Sequence, residues 1–269
     1  RASLDHVNGP IVDGFVDQLH IRKVRWNTHP NRDPVPGKLS PFTIRKEIRI
    51  LKGFGTWLGQ EGFNNPFSDL VVPREPKRLV RVLSDEEIEK IIASINPTTP
   101  IGARLYAVIL FLLDSGPRIG EIISAKLPHL NLESRQVRII GKGNKERIVP
   151  FGSRTGKAFL QYIHLHRPSP MLPEYVQLFL SMDGMPMTRG SLSSVLYRLK
   201  KSSGVDRLHA HLFRHTFAVK YLMNGGDVMT LQRILGHESL EITKRYLSLT
   251  NAQVQLRYDS YSPVDRLPH

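Results

Sequence analysis

The sequence predicts a mainly α fold with a small antiparallel β-sheet, divided into a small helical domain and a larger mixed α+β domain. Three observations predict it. Apolar residues recur at helical spacing along most of the chain. One stretch alone, residues 130–151, reads as strands, with Val137, Ile139 and Ile140 before a Gly-Lys-Gly-Asn turn and Ile148 and Val149 after it. Residues 64–82 hold three prolines and no sustained period, so the chain divides best there.

Length and charge narrow the class. At 269 residues the chain can hold two domains and a sizeable core. It carries 38 Lys+Arg against 24 Asp+Glu, a net charge of +14, and a pI near 10.1. That excess calls for a polyanionic partner, nucleic acid before an anionic membrane. The longest apolar run, residues 105–113, is nine long, well short of the roughly 20 needed to span a bilayer. No secretory signal is visible, and the first residue is Arg1 rather than Met, which leaves room for residues upstream. With no cysteine, disulfides and cysteine-held zinc are excluded. A soluble, cytoplasmic, nucleoid-associated DNA binder with no membrane contact is the expectation.

In order, residues 10–20 carry Ile11, Val12, Phe15, Val16 and Leu19 on an amphipathic helix. A polar connection over residues 22–39 follows. Ser40 and Pro41 read as N-cap and first residue of a helix to about Gln60, with Ile44, Ile48, Leu51, Phe54, Trp57 and Leu58 as its apolar stripe. Arg45, Lys46, Arg49 and Lys52 make its opposite face basic, either as an ordinary solvated surface or, given the charge of the whole chain, as a DNA contact. Arg74, Lys77 and Arg78 belong to the proline-containing linker and could lie along a phosphate backbone. Ser84-Asp85-Glu86-Glu87 is a capping box opening a helix to about Ser94, its acids explained by the helix dipole without a metal. Residues 105–113 form a mostly buried helix.

Asp114-Ser115-Gly116-Pro117-Arg118 suits a helix start, with Arg118 in the first turn. The dipole disfavours a cation there, so an anion answers it, unless Arg118 simply pairs with Glu121 one turn on. On the hairpin, Lys142 is a solvated turn lysine on local evidence, yet a lysine at such a tip can donate a proton to a leaving oxygen. Lys145 and Arg147 suit contacts to a DNA backbone. Helices are expected at 154–165 and 190–203, the second offering Arg198, Lys200 and Lys201 to DNA, while Met182, Met185 and Met187 are core or loop residues.

Chemistry concentrates in residues 211–246, which read HLFRH, a helical run, LGH, then EITKRY. His211 and Arg214, three apart, project from one helix face. Gly225-Gly226 stops that helix, Asp227 caps the next, and Gly236 ends it with His237 in a turn. Ser239 can cap a short helix presenting Tyr246. A phenol, with a pKa of about 10, becomes a useful nucleophile when fixed cations neutralise charge on the attacked group. A phosphodiester fits, because its oxygens match a guanidinium fork. His211 and His215 have the i, i+4 spacing of zinc ligands, but Leu212 stands where a zinc hydrolase needs glutamate and no carboxylate accompanies the pair.

His-x-x-Arg-His, Leu-Gly-His and a tyrosine nine residues later, preceded by SGPRIGE at 115–121 and GKGNKER at 141–147, resemble the motifs of the tyrosine recombinases, the phage-integrase and Xer-like family. Pro117 stands where that family more often has leucine. The resemblance implies a helical core-binding domain at 1–72 that clamps DNA, a basic linker at 73–82, a catalytic domain at 83–250, and a tail at 251–269 docking on a neighbouring protomer. It implies site-specific cutting and rejoining of DNA through a 3′-phosphotyrosyl intermediate at Tyr246, with no metal, cofactor or ATP. Arg118, Arg214, His211 and His237 would brace the phosphate, and Lys142, 24 residues after Arg118, would be the catalytic lysine. Glu121 would orient Arg118, while His215 would either support the site or act directly. Double-stranded DNA with a specific site would be bound by a dimer, two dimers forming a tetramer in synapsis, with an accessory DNA-bending protein as a further partner. Two other readings stand beside it: a topoisomerase-like or telomere-resolving enzyme of the same chemistry, and a non-catalytic DNA-binding protein of the same fold.

Overall fold

The computed structural model describes residues 7–22, 24–25, 33–74, 81–141, 143 and 145–237. The chain divides into two compact units, Arg1–Arg78 and Leu79–His269. Among the described residues, no helix is long and apolar enough to cross a membrane.

The first unit is built on α1 (Gly9–Ile21) and α2 (Pro41–Gln60). Each begins as its sequence dictates: the Asn8 side chain accepts from the Ile11 N–H at 3.2 Å, and Ser40 Oγ from the Thr43 N–H at 3.2 Å. Between them, β1 (Val24–Arg25) and β2 (Val35–Pro36) form an antiparallel pair inside the stretch expected to be a plain connection. Val12, Leu19, Ile44, Ile48, Leu58, Phe67 and Leu70 make the core.

The apolar stripes are only partly used. Phe54 and Trp57, expected in the core, stack on each other at 5.7 Å on the exposed side of α2, and Ile11 and Phe15 of α1 are exposed as well. The basic face also differs from expectation. Arg45 donates to the Pro73 carbonyl and Lys52 to the Leu70 carbonyl at 2.9 Å, so both fasten residues 70–73 back onto α2. Carbonyls in that segment lie outside regular structure, and a neighbouring cation is their nearest donor. Lys46, Arg49 and Arg74 remain exposed. Lys77 and Arg78 lie outside the described residues.

The second unit is layered around α4 (Pro100–Ser115), which packs against α6 (Ser153–Gln161) and α8 (Ala210–Met223). Ala107 to Leu112 are all buried, because α4 has apolar neighbours on nearly every side. Phe159 of α6 meets Phe111 and Phe151 edge-on, with centroids 5.4 and 5.0 Å away. The sheet runs in the order β3 (Leu130–Asn131), β4 (Gln136–Ile140), β5 (Glu146–Pro150), all antiparallel, with Val137 opposite Val149 and Ile139 opposite Arg147. Val137, Ile139 and Val149 turn inward. α3 (Asp85–Ala93) opens on the expected capping box, Ser84 Oγ accepting from Glu87 N–H and Glu87 from Ser84 N–H. α7 (Arg189–Ser203) buries Leu192, Val195, Leu196 and Leu199. α6 continues into a π-helical turn, Tyr162–His166. Met187 is buried, Met182 and Met185 exposed.

The end of α4 sets the site's frame. Gly116 adopts φ +61°, the left-handed conformation that terminates a helix. Ser115 Oγ donates to the Pro150 carbonyl at 2.6 Å, and Asp114 accepts from the Thr155 hydroxyl at 2.7 Å. One turn of chain thus fixes α4 to β5 and to the start of α6. The beginning of the second unit is tied to residues much later in that unit: Leu83 N–H donates to Thr216 Oγ1 at 2.9 Å, and Arg207 pairs with Glu87 and the Val82 carbonyl.

Candidate functional site

Arg118 is the N-cap of α5 (Ile119–Ser124), one position earlier than the first-turn placement the sequence suggested. The cause is Gly116, whose left-handed turn ends α4 and carries Pro117 across before α5 begins. The Glu121 carboxylate then folds back, with Oε2 accepting from the Arg118 N–H at 2.7 Å and Oε1 from Arg118 Nη1 at 3.1 Å. The Arg118 side chain stays 39% exposed while Glu121 is buried.

Arg214 comes from α8, where Phe213 and Phe217 anchor its helix in the interior. The residue is only 4% exposed. Nη1 donates to the Gly116 carbonyl and Nη2 to the Leu235 carbonyl, both at 2.7 Å. Leu235 closes α9 (Val228–Leu235), so the cation sits where helix carbonyls lack internal partners. Asp227 caps the other end of α9, accepting from Met229 and Thr230 N–H groups. Gly236, at φ +62°, then swings the chain so that His237 turns inward and is buried. Gln232 holds that turn from both sides, its carbonyl accepting from His237 N–H and its Nε2 donating to the His237 carbonyl, each at 3.1 Å.

His211 lies in the first turn of α8, next to the N-cap His209, whose Nδ1 accepts from Leu212 N–H at 3.2 Å. The electrostatics place these groups in one neighbourhood. Desolvation, then Arg214 and Arg118, hold His211 below its ordinary value. Burial, then Arg214, Arg118 and Arg147, push His237 down to about 4, with Glu121 opposing. Both imidazoles are therefore neutral at pH 7. Burial alone would raise the Glu121 carboxyl, but Arg147 and Arg118 outweigh it and hold it low. His215 is half-buried one turn along α8.

Arg118, His211, Arg214, His237 and Glu121 are thus brought together. Lys142 and Tyr246 fall outside the described residues. Arg147 departs from expectation. Placed by sequence as a contact to a DNA backbone, its guanidinium instead enters the site, meeting Glu121 through Nη1 at 2.7 Å and Nη2 at 2.8 Å and the Ile234 carbonyl through Nε at 2.9 Å. Its outward strand neighbours gave no hint of this; the partners lie 26 and 87 positions away. Lys145 remains exposed beside the hairpin tip, which the Gly141 N–H closes on the Lys145 carbonyl at 2.8 Å. On α7, Arg198 and Lys201 are exposed, Lys201 lying 5.7 Å from the Tyr197 ring centroid, and Lys200 is half-buried.

A forked arginine pair beside two neutral imidazoles has the chemistry to brace a phosphate ester. In comparison with known proteins, the phage integrase family matches residues 81–253. The chain belongs to that family. It is similar to the tyrosine recombinase XerC of Staphylococcus epidermidis (strain RP62A), 33% identical over 258 residues that cover 93% of this chain and 87% of that protein. The tyrosine recombinase XerD of Listeria innocua is 31% identical over 229 residues, 83% of this chain and 77% of that one. The fold of this chain matches the XerH site-specific recombinase bound to palindromic difH substrate in a post-cleavage complex, with a TM-score of 0.71 at 21% identity over 98% of this chain and 74% of that one. The Tn1549 transposon integrase in complex with transposon right end DNA gives 0.72 at 21% identity, covering 97% and 87%. As a member of this family, the chain is a tyrosine-class enzyme of site-specific DNA recombination, and DNA is its partner.

Proposed function

We propose that this enzyme cuts and rejoins DNA at a specific site through a 3′-phosphotyrosyl link to Tyr246. The observation that carries the reading is the convergence of Arg118 and Arg214 with His211 and His237: Arg214 shares α8 with His211 and bonds the Gly116 carbonyl two residues before Arg118 and the Leu235 carbonyl two residues before His237. The Tyr246 oxygen bonds to the scissile phosphorus as its phenolic proton passes to solvent, the bond to the 5′ oxygen breaks, and Lys142 protonates that departing oxygen. Arg118 and Arg214 brace the non-bridging oxygens, and the two neutral imidazoles share hydrogen bonds with the phosphate without adding net charge of their own. Glu121 orients Arg118, and His215 supports α8 or acts directly. The released hydroxyl, or one from a partner strand, reverses the step, and the covalent link conserves the bond energy, so no ATP and no metal is needed. Fixed charges supply most of the acceleration.

The finer assignments belong to the same proposal. Residues 1–72 form a core-binding domain, 73–82 a linker, 83–250 the catalytic domain and 251–269 a tail that docks on a neighbouring protomer. Lys46, Arg49, Arg74, Lys77, Arg78, Lys145, Arg198, Lys200 and Lys201 contact DNA, with Arg45 and Lys52 shaping that surface. A dimer occupies each site and two dimers form the synaptic tetramer, assisted by a DNA-bending protein, in the cytoplasm at the nucleoid. The test is a nicked suicide duplex carrying the target, obtained by footprinting. The expected product is a detergent-resistant protein–DNA adduct whose peptide maps to Tyr246. A DNA-binding protein that gives no adduct would sink the enzymatic roles. Product topology on supercoiled and two-site substrates separates recombination from nicking and sealing.

A further inference from the structure

The Glu121 carboxylate is reached by two arginines, and they do not share it equally. Arg147 takes both oxygens in a parallel fork at 2.7 and 2.8 Å, whereas the Arg118 guanidinium reaches one oxygen from Nη1 at 3.1 Å. The fork is the strongest and most directional arginine–carboxylate geometry. It is also shielded: the Arg147 side chain is 13% exposed against 39% for Arg118. Two glycines clear the space it occupies. A Cβ on Gly236 would stand 3.0 Å from Arg147 Cζ, and one on Gly141 would stand 3.3 Å from Nη1. Carboxylates and phosphates compete for the same face of a guanidinium. Without Arg147, the buried Glu121 carboxylate would lose its main counter-charge, and Arg118, three residues before it, would be the nearest replacement.

We propose that Arg147 is a positioning residue that occupies the Glu121 carboxylate and so keeps the Arg118 fork open for the DNA phosphate. The proposal rests on the reading of Arg118 as a phosphate-binding arginine. Glu121 also supplies an acceptor oxygen for the Arg118 N–H, which a glutamine keeps, while the charge on the carboxylate draws in the Arg118 side chain; Arg147 limits how far that attraction goes.

The test compares single-turnover adduct formation on the nicked suicide duplex for the unaltered chain, Arg147→Gln, Arg147→Lys, and the double variant Arg147→Gln with Glu121→Gln. Duplex affinity and thermal unfolding are measured alongside. Arg147→Gln is expected to slow adduct formation by about 100-fold, the scale of losing one preorganised charge contact, with duplex affinity changed little. Arg147→Lys should recover part of the rate, since it restores the charge without the fork. Removing the Glu121 charge in the Arg147→Gln background should bring the rate back to within about tenfold of the unaltered chain. An Arg147→Gln chain that cleaves at full rate overturns the proposal, and so does a folded double variant with no recovery. Should Arg147→Gln fail to fold alone, the double variant decides by itself: adduct above a tenth of the normal rate supports the proposal, and none overturns it. An unaltered chain that forms no adduct refutes the phosphotyrosyl reading itself, and this proposal with it.

Discussion

Arg214 Nη2 donates to the Leu235 carbonyl at 2.7 Å, so the buried arginine of α8 closes the C-terminal end of α9 two residues before His237. Together with the bond from Nη1 to Gly116, this makes one guanidinium the junction of α4, α8 and α9. Lysine can satisfy one of these carbonyls but not both, because it lacks the planar fork. Arg214→Lys is expected to lower the single-turnover cleavage rate by about 10²–10³-fold. Amide hydrogen exchange at Gly236 and His237 should rise at the same time, and an unchanged exchange rate there would contradict the junction.

His237 gives a pH signature. Its ring is neutral until about pH 4 in the folded chain and 6.5 is the ordinary value. Between those values the unfolded chain binds the proton and the folded chain does not, so stability falls as pH falls from 6.5 toward 4 and is fully present above 6.5. The ceiling on this contribution is roughly 3 kcal/mol. Urea unfolding at pH 7, 5 and 4 should show a steeper loss in the native chain than in His237→Gln. An NMR titration of the ring should find its midpoint raised when a phosphate-bearing duplex is bound.

Gly116 and Gly204 separate backbone strain from crowding. Both are left-handed, at φ +61° and +69°, but a Cβ on Gly116 would stand 2.7 Å from Phe217 Cδ1 while Gly204 faces open space. Gly204→Ala should cost about 1 kcal/mol from conformation alone. Gly116→Ala should cost about 2–4 kcal/mol, since ring and backbone must both shift. Equal urea midpoints for the two would contradict the close approach.

The basic face of α2 should divide into two kinds of residue. Lys46→Gln with Arg49→Gln should weaken duplex binding and lower the magnitude of the slope of log affinity against log salt by about 2. Lys52→Gln should instead loosen the segment it fastens, lowering unfolding stability by about 1 kcal/mol. Fluorescence anisotropy across a salt series, paired with thermal unfolding, checks both.

Replacing Phe159 with alanine probes the core that carries the site. Its ring touches Phe111, Phe151 and Phe179 with no solvent exposure, so the loss should be about 3–5 kcal/mol. Chemical denaturation measures it, and a loss below 1 kcal/mol would mean that the aromatic cluster relaxes around the gap.

What the sequence made legible was local. Ser40, Ser84 and Asp227 cap the helices they precede, because capping depends on residues three or fewer apart. His211 and Arg214 share a helix, so their spacing carried through to the site. Distant partners were not legible. Nothing near Arg147 points to Glu121 or to Ile234, and a lysine- and arginine-rich hairpin looks like a surface until its strand is packed. Arg118 was misplaced by one position because Gly116 and Pro117 each offer a helix boundary, and only the α4 packing decides between them. Phe54 and Trp57 fit a helical period yet lie outside, since periodicity marks a face without saying how much of it is covered.

The hydrogen bond from Leu83 to Thr216 joins positions 133 residues apart, and Arg207 joins Glu87 across 120. The entrance of the larger unit is therefore stitched to elements near its far end. During synthesis, at about 5–20 residues per second, α3 has emerged from the ribosome many seconds before its partners on α8 exist. The candidate site takes His211 and Arg214 from that late helix, so a nascent or prematurely terminated chain cannot bring its groups together while it is still being made.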